Sequence, residues 1–287
     1  MKPNLFQYVR AETIEDAVVL LDKLGDAGDL IAGGQSLVPA MALRMASPEI
    51  LIDISAVPEL ATITQNNGVL HIGAGARYSD ILTSPAVAAT CPLLIKAIPF
   101  IAHEAIRNRG TIGGSLAHSD PAAEMPGCLL ALNARIVVQN VHGQRVIPVN
   151  EFLLGTYSTA LREGEMIVSV EIPANNDNEQ HLFQELTRRS GDYAMLGAAF
   201  VVTMEGPKIA FARMAYFSVG ERALLANDAA AMLAHQMPTP ELFDKCATYA
   251  AGELDCLGDL YNSAAMKRHL VKTLTRRILG EVLVEAA

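Results

Sequence analysis

Apolar and polar positions change period several times along this chain, and each change marks an element. Thr13-Ile14-Glu15-Asp16 resembles a capping box, and apolar residues at Ala17, Val18, Leu20, Leu21 and Leu24 follow at helical spacing until Gly25. Leu30-Ile31-Ala32 reads as a short strand, Val38 to Met45 as a helix ending before Ser47-Pro48, and Ile50 to Ile54 as a strand buried on both faces. From Val57 a second unit begins. Val69 to Ala76 reads as a strand closing in a tight bend, and Pro92 to Ile106 as a helix kinked at Pro99. Arg135–Gln139 and Gln144–Pro148 form an expected hairpin around Asn140-Val141-His142-Gly143, and Glu165 to Ile172 is another strand.

The polar stretch Ala174 to His181 is the natural linker, and the pattern changes beyond it. Strands are expected at Phe183–Leu186, Gly197–Met204 and Ile209–Val219, with a turn at Glu205-Gly206-Pro207-Lys208. Helices are then expected over Glu221–His235, Glu241–Ala251 and Ala264–Val284. In the last, Met266, Leu270, Leu274, Ile278 and Val282 recur every fourth residue as one apolar face. Strands followed by helices point to an α+β chain rather than a doubly wound sheet. The expected units are 1–56, 57–173 and 174–287, with no internal repeat and no low-complexity tract.

Composition narrows the function classes. The chain has 287 residues, 51% of them hydrophobic, and a formal net charge of −9. That charge opposes binding to a nucleic-acid backbone, which needs a basic footprint. No apolar run of about 18 residues suggests a membrane span, and the N-terminus has no signal-peptide core. Cys91, Cys128, Cys246 and Cys256 are scattered, with no Cys-x-x-Cys pair, so no zinc or iron–sulfur site is indicated in this chain. The histidines show no metal-ligand spacing either. The expected compartment is a reducing cytoplasm.

Two glycine pairs carry the chemistry. Ala32-Gly33-Gly34-Gln35-Ser36-Leu37 and Thr111-Ile112-Gly113-Gly114-Ser115-Leu116 each place a Ser within two positions of a Gly pair. A Gly pair permits a turn with positive φ and close approach of a ligand. Successive N–H groups in such a turn bind anions, so two loops together suggest a diphosphate gripped from both sides. Gly73-x-Gly75 has no third Gly at the dinucleotide spacing, which excludes a Rossmann reading. Arg107 and Arg109 flank the second pair and can counter phosphate charge or pair with carboxylates. His118-Ser119-Asp120-Pro121 follows it, and Glu124 can bond ribose hydroxyls or cap a helix. Tyr193 stands alone as an aromatic in the polar stretch Arg188 to Asp192, able to cover a flat ring or to anchor a loop. No nucleophile–base arrangement is legible, which suits a redox cofactor that brings its own reactivity.

The stretch Ala32–Pro39, with Arg44, Pro48-Glu49, Asp53-Ile54, Arg107–Ala122 and Arg189–Ala194, resembles the FAD-binding medium subunit of molybdenum hydroxylases of the carbon monoxide dehydrogenase and xanthine dehydrogenase type. The resemblance spans nearly the whole chain. It implies a vanillyl-alcohol-oxidase (PCMH) type FAD fold in two subdomains and a C-terminal α/β domain of the CO dehydrogenase flavoprotein type. It also implies that Ala32, Gly33, Gly34, Gln35, Ser36 and Leu37, with Thr111, Ile112, Gly113, Gly114 and Ser115, hold the FAD diphosphate. By the same resemblance Ile101 packs on the cofactor, Glu124 contacts the adenosine part, and Leu161 lies near the adenine or flavin. His118 and Asp120 belong to the site, and Tyr193 sits beside the isoalloxazine ring as the residue closest to the chemistry. Some relatives carry a Lys shortly before this Tyr; here the neighbourhood reads Gln184-Glu185-Leu186.

The implied partners are a small subunit with two [2Fe-2S] clusters and a large molybdopterin subunit, assembled as a dimer of heterotrimers. Substrate, an aromatic N-heterocycle, aldehyde, purine or carbon monoxide, is hydroxylated at the molybdenum subunit. Electrons then leave through FAD to an outside acceptor. Two alternatives stand beside this. A stand-alone FAD oxidase needs a base or a covalent-flavin residue, for which His103 or His118 are the available side chains. A non-catalytic nucleotide-binding protein needs only the loops.

Overall fold

The computed structural model describes residues 2–285; Met1, Ala286 and Ala287, which the expected units include, lie outside the described residues. Three larger sheets follow one another among the described residues, beside a two-stranded ribbon of Leu153–Gly155 and Ser158–Thr159. The first is parallel, with Ile50–Asp53 between Gln7–Arg10 and Gly28–Ile31. Leu51 and Ile52 of the central strand are buried. The strand Gln7–Arg10 was not legible, because it is largely exposed and shows no alternation. Thr13 caps the helix Ile14–Leu24, its side chain accepting the Asp16 N–H, and Gly25 ends it at φ 50°.

The second sheet has five antiparallel strands in the order Ile63–Asn66, Val69–Gly73, Met166–Pro173, Arg135–Asn140 and Gly143–Pro148. The hairpin closes at Asn140 opposite Gly143, as its sequence implies. The expected kinked helix from Pro92 is broken instead. It runs Pro92–Ala97, tightens over Ile98–Phe100, and resumes at Glu104–Arg107. Pro99 removes an N–H inside the run, and Ala102 takes a positive φ of 42°.

The third sheet is antiparallel: Glu179–Leu186, Leu196–Glu205, Lys208–Phe217 and the short Leu224–Leu225. Both its faces are buried, and period-two alternation divides them. Ala198, Phe200 and Val202 join the core under the helices Pro240–Glu253 and Ala264–Glu285. Ala199, Val201, Phe183 and Phe217 join the larger core shared with the first two sheets. Burying a side chain such as Phe200 fully contributes roughly 1.5–3 kcal/mol. Two expectations need correcting. The helix placed over Glu221–His235 is only Asn227–Ala231, because Leu224–Leu225 first pairs with the sheet edge. Met266, at the start of the apolar face of the last helix, is 42% exposed, while Leu270, Leu274, Ile278 and Val282 are buried.

Candidate functional site

The first glycine pair sits at the carboxyl end of the strand Gly28–Ile31, where the parallel strands deliver their loops. Gly34 has φ +68°, a conformation that favours glycine. Gly33 is glycine for a different reason: a Cβ there would lie 2.1 Å from the Arg109 carbonyl oxygen. The two glycine-bearing segments therefore touch backbone to backbone. Gln35 folds back, its Nε2 donating to the Gly33 carbonyl at 2.8 Å. Val38 N–H donates to the Gly34 carbonyl at 3.1 Å and starts the helix Leu37–Ala42. The N–H groups of Gly33, Gly34, Gln35, Ser36 and Leu37 meet no acceptor among the described residues. A cleft of about 390 Å³ opens beside them, walled by Ala32, Gly33, Gly34, Gln35, Asp53 and Arg109. Tyr8 hydroxyl donates to Asp53 Oδ2 at 2.5 Å across it, a pair that the sequence did not single out.

The second pair differs from its expected form. Thr111 is the N-cap of the helix Ile112–His118, and its Oγ1 accepts the Gly114 N–H at 3.1 Å. Ile112 N–H donates to Ala76 O at 3.1 Å, Gly113 N–H to Ala74 O at 2.9 Å, and Ser115 N–H to Thr111 O at 3.1 Å. Neither glycine takes positive φ, and these donors already have partners inside the protein. Gly113 is required by packing, since its Cβ would meet the Ala74 Cβ at 2.5 Å. Gly114 is exposed and has only Thr111 Oγ1 nearby, at 2.9 Å. The segment thus supplies a smooth, fixed wall, and the free backbone donors lie in the first loop.

Beyond this wall a second group forms. Ser119 ends the helix in the left-handed region at φ 49°, its hydroxyl donating to Gly155 O at 3.1 Å. Tyr157 N–H donates to Ser119 O at 3.0 Å, and the Tyr157 ring lies 4.8 Å from that of His118. Asp120 Oδ1 accepts the Ala122 N–H at 2.9 Å. Ser218 joins this turn to the loop of Tyr193: its N–H donates to Pro121 O at 2.8 Å and its hydroxyl to Ala194 O at 2.6 Å. Tyr193 is 68% exposed, and the Asp120 charge acts on its phenol. Desolvation there, with the Asp120 charge, pushes the phenol up to about 12. Burial pushes the Glu124 carboxyl up to about 7, with the Asp120 charge adding to it. The resemblance sends Glu124 and Tyr193 to opposite ends of a cofactor; the structure places Glu124 among the charges felt at Tyr193.

Arg107 has neither of its expected roles. Its guanidinium donates to the carbonyls of Pro99, Ile101 and Ala102 at 3.4, 3.0 and 2.9 Å. That pins the bend carrying Ile101, which is itself buried in the main core. Gly191, at φ +75°, rests on this bend, 2.9 Å separating its would-be Cβ from Ala102 O. Arg107 therefore props the platform on which the Tyr193 loop sits. Leu161 is half-buried against the same core and is not in the lining of the cleft. Its loop is held by the bidentate Arg145–Glu165 pair, both contacts 2.7 Å.

Among the described residues no cluster of His, Cys, Asp or Glu has a metal-binding arrangement, all four cysteines are buried free thiols, and no helix is long and apolar enough to cross a membrane. Sequence reasoning missed Tyr157 and the place of Glu185. Tyr157 carried a signal like that of Tyr193, a lone aromatic in a polar turn.

Comparison with known proteins bears on this arrangement. Residues 4–175 match the FAD binding domain in molybdopterin dehydrogenase, and residues 181–282 match the CO dehydrogenase flavoprotein C-terminal domain. The chain is 39% identical over 287 residues to the 6-hydroxypseudooxynicotine dehydrogenase complex subunit alpha of Paenarthrobacter nicotinovorans, covering 100% of this chain and 97% of that one. Among solved structures it is similar to a chain of carbon monoxide dehydrogenase from Hydrogenophaga pseudoflava, with TM-score 0.96, 36% identity and full coverage of both chains. It is also similar to a chain of quinoline 2-oxidoreductase from Pseudomonas putida 86, with TM-score 0.95 and 35% identity, covering 100% of this chain and 99% of the other.

Proposed function

The chain belongs to the family of FAD-binding medium subunits of molybdenum hydroxylases, and from that premise we propose how its own residues serve the cofactor and which partners it meets. It is an FAD-carrying, electron-transferring subunit of a multi-subunit oxidoreductase. Its fold is the vanillyl-alcohol-oxidase type FAD-binding fold followed by the CO dehydrogenase flavoprotein C-terminal domain.

The observation that carries the residue roles is the run of N–H groups from Gly33 to Leu37 without acceptors, beside a cleft and around a positive-φ glycine. Such a concavity fits an anionic diphosphate. Ala32, Gly33, Gly34, Gln35, Ser36 and Leu37 form the donor loop in this reading, and the Ser36 hydroxyl, free of a capping bond, extends it. Thr111, Ile112, Gly113, Gly114 and Ser115 form the opposing wall, where the absence of a side chain at the exposed Gly114 admits the ligand closely and Gly113 seats the wall on Ala74. Ile101 packs on the cofactor from the core, and Leu161 lies near the adenine or flavin, beyond the lining of the cleft. His118, Asp120, Glu124 and Tyr193 surround the ring end, with Tyr193 over it. FAD, when bound, supplies the two-electron capacity that side chains lack. The protein's part is to hold it, exclude water from one face and set the charge around it.

The partners in this reading are a small subunit with [2Fe-2S] clusters and a large molybdopterin subunit, in a dimer of heterotrimers in the cytoplasm. The substrate is an aromatic N-heterocycle, an aldehyde, a purine or carbon monoxide, and it reacts on the large subunit. The relatives include medium chains named for carbon monoxide, nicotine and glyceraldehyde, which supports this range.

The test is an absorbance spectrum and elemental analysis of the chain purified with whatever accompanies it from its host. Flavin bands over an iron–sulfur envelope, with molybdenum, are expected. Flavin without iron or molybdenum, with turnover by the isolated chain, would replace this reading with a stand-alone oxidase. A colourless chain that binds ADP but not FAD would leave a nucleotide-binding protein.

A further inference from the structure

Strand alternation sets Glu185 on the inner face of the third sheet. Gln184 hydrogen-bonds Glu281 on the last helix, so it faces the outer core. His181, Phe183 and Glu185 therefore face the FAD-binding body. His181 Nδ1 accepts the Leu93 N–H at 3.1 Å, and Phe183 lies 5.2 Å from Phe100 and 6.0 Å from Phe217, as that side requires. Glu185 pairs with Gly197, whose missing side chain is replaced by the Phe217 ring, 1.9 Å from a would-be Cβ. The same ring packs on Gly127, 2.7 Å from a would-be Cβ, on the helix Glu124–Ala131. Glu124 lies three residues before Gly127 and so shares its face of that helix. Two carboxyls thus flank one buried aromatic ring, next to Asp120 and Tyr193.

Neither carboxyl forms an ion pair among the described residues. Glu124 is 8% exposed, and Glu185 Oε2 is buried with no hydrogen-bond partner. The groups facing them are acidic or neutral: Asp120, Tyr78, Tyr193 and Cys128. Neither carboxyl has a cationic partner among the described residues, and desolvation together with like charge opposes ionising both at once. Burial lifts Glu185 to about 8, with the Glu124 charge adding to it, and Glu124 itself stands at about 7.

We propose that Glu124 and Glu185 act as one proton-holding pair for the redox site, taking up a proton when negative charge accumulates beside Tyr193 and releasing it when that charge leaves. This rests on the FAD-subunit reading above. The step balances simply. Electrons arrive from the partner subunit and leave to the outside acceptor, and none passes through the pair. One carboxylate oxygen gains a proton from solvent by way of the Asp120–Tyr193 end, and the same O–H bond breaks on reoxidation. Glu185 is a positioning residue in this scheme, acting through charge rather than contact.

The experiment uses the intact purified complex. Flavin midpoint potential and net proton uptake on reduction are followed from about pH 6 to 9, the range spanned by such perturbed carboxyls. Glu185→Gln, of the same shape, is expected to keep FAD while binding one proton fewer per reduction, with a correspondingly shallower dependence of potential on pH. An unchanged proton count and slope in flavin-loaded Glu185→Gln overturns the proposal. Should that variant not fold, the infrared difference spectrum of the unmodified complex decides alone. A protonated-carboxyl band that grows on reduction and shifts in D₂O supports the pair, and its absence overturns it. Wild-type complex without flavin would instead overturn the reading on which the pair depends.

Discussion

Gly33→Ala tests the contact that joins the two glycine segments. The new Cβ would stand 2.1 Å from the Arg109 carbonyl oxygen, 2.8 Å from its carbonyl carbon and 3.0 Å from the Gly110 Cα. All three are backbone atoms and cannot rotate away. Restoring ordinary contact at about 3.5 Å requires the segments to part by roughly 1.4 Å. Overpacking of this kind costs roughly 1–3 kcal/mol, or about 2–12 °C in Tm for a chain of this size. Gly68→Ala is the matched control: it carries positive φ of +73° with nothing within 4 Å of the Cβ, and its backbone strain costs about 1–2 kcal/mol. The two variants should therefore lose similar stability but differ in cofactor retention, read as flavin per protein after gel filtration. Gly68→Ala should keep its flavin and Gly33→Ala should lose most of it. Wild-type flavin content in Gly33→Ala would refute the argument that the segments must touch for the cleft to have its shape.

Arg107→Ala removes the donor to the carbonyls of Pro99, Ile101 and Ala102, and should cost roughly 1.5–3 kcal/mol; a urea midpoint equal to wild type would show that those carbonyls do not need it. Tyr193→Ala should change the shape of the flavin absorbance bands while leaving FAD bound, and an unaltered spectrum would remove this side chain from the site. Glu165 is held below the usual carboxylate range by its hydrogen bond to Arg145. Its contribution is therefore present above the unfolded value of about 4.3 and lost as pH falls through the lower folded value. Glu165→Gln should flatten the loss of stability between about pH 5 and 3, measured by urea unfolding at several pH values, and an unchanged slope would assign acid lability elsewhere.

Local signals survived folding where one element was enough to satisfy them. The Thr13 cap, the Gly25 stop and the hairpin at Asn140–Gly143 are settled by near neighbours, and the sequence shows them plainly. The same holds for the strand–helix order of the last third. Long-range partners decided the rest. Gly113 reads as a turn glycine because its actual constraint, Ala74, lies far along the chain. Arg107 is a different case: its three carbonyl acceptors lie only a few residues back, and they converge on it because the expected helix breaks at Pro99 and Ala102. Glu185 is visible in sequence only as part of Gln184-Glu185-Leu186, a neighbourhood in which some relatives carry a Lys, and its significance comes from sharing the Phe217 ring with Glu124. The motif residues of the first loop were legible, but not that the two glycine pairs work differently, one offering donors and the other a bare wall.

The meeting of Gly33 with Arg109 also sets an order of events in biosynthesis. The donor loop is made early, on a sheet of three short strands whose first strand is largely exposed; so small a sheet has little stability of its own. The backbone it leans against emerges only after the second sheet has begun, and Tyr193, which we propose covers the ring end, emerges later still. Chains fold largely from the N-terminus as they are synthesised, and distant contacts form slowly. The nascent first unit therefore displays the cofactor motif before it has a seat for the cofactor, and FAD loading belongs to the late stage of assembly.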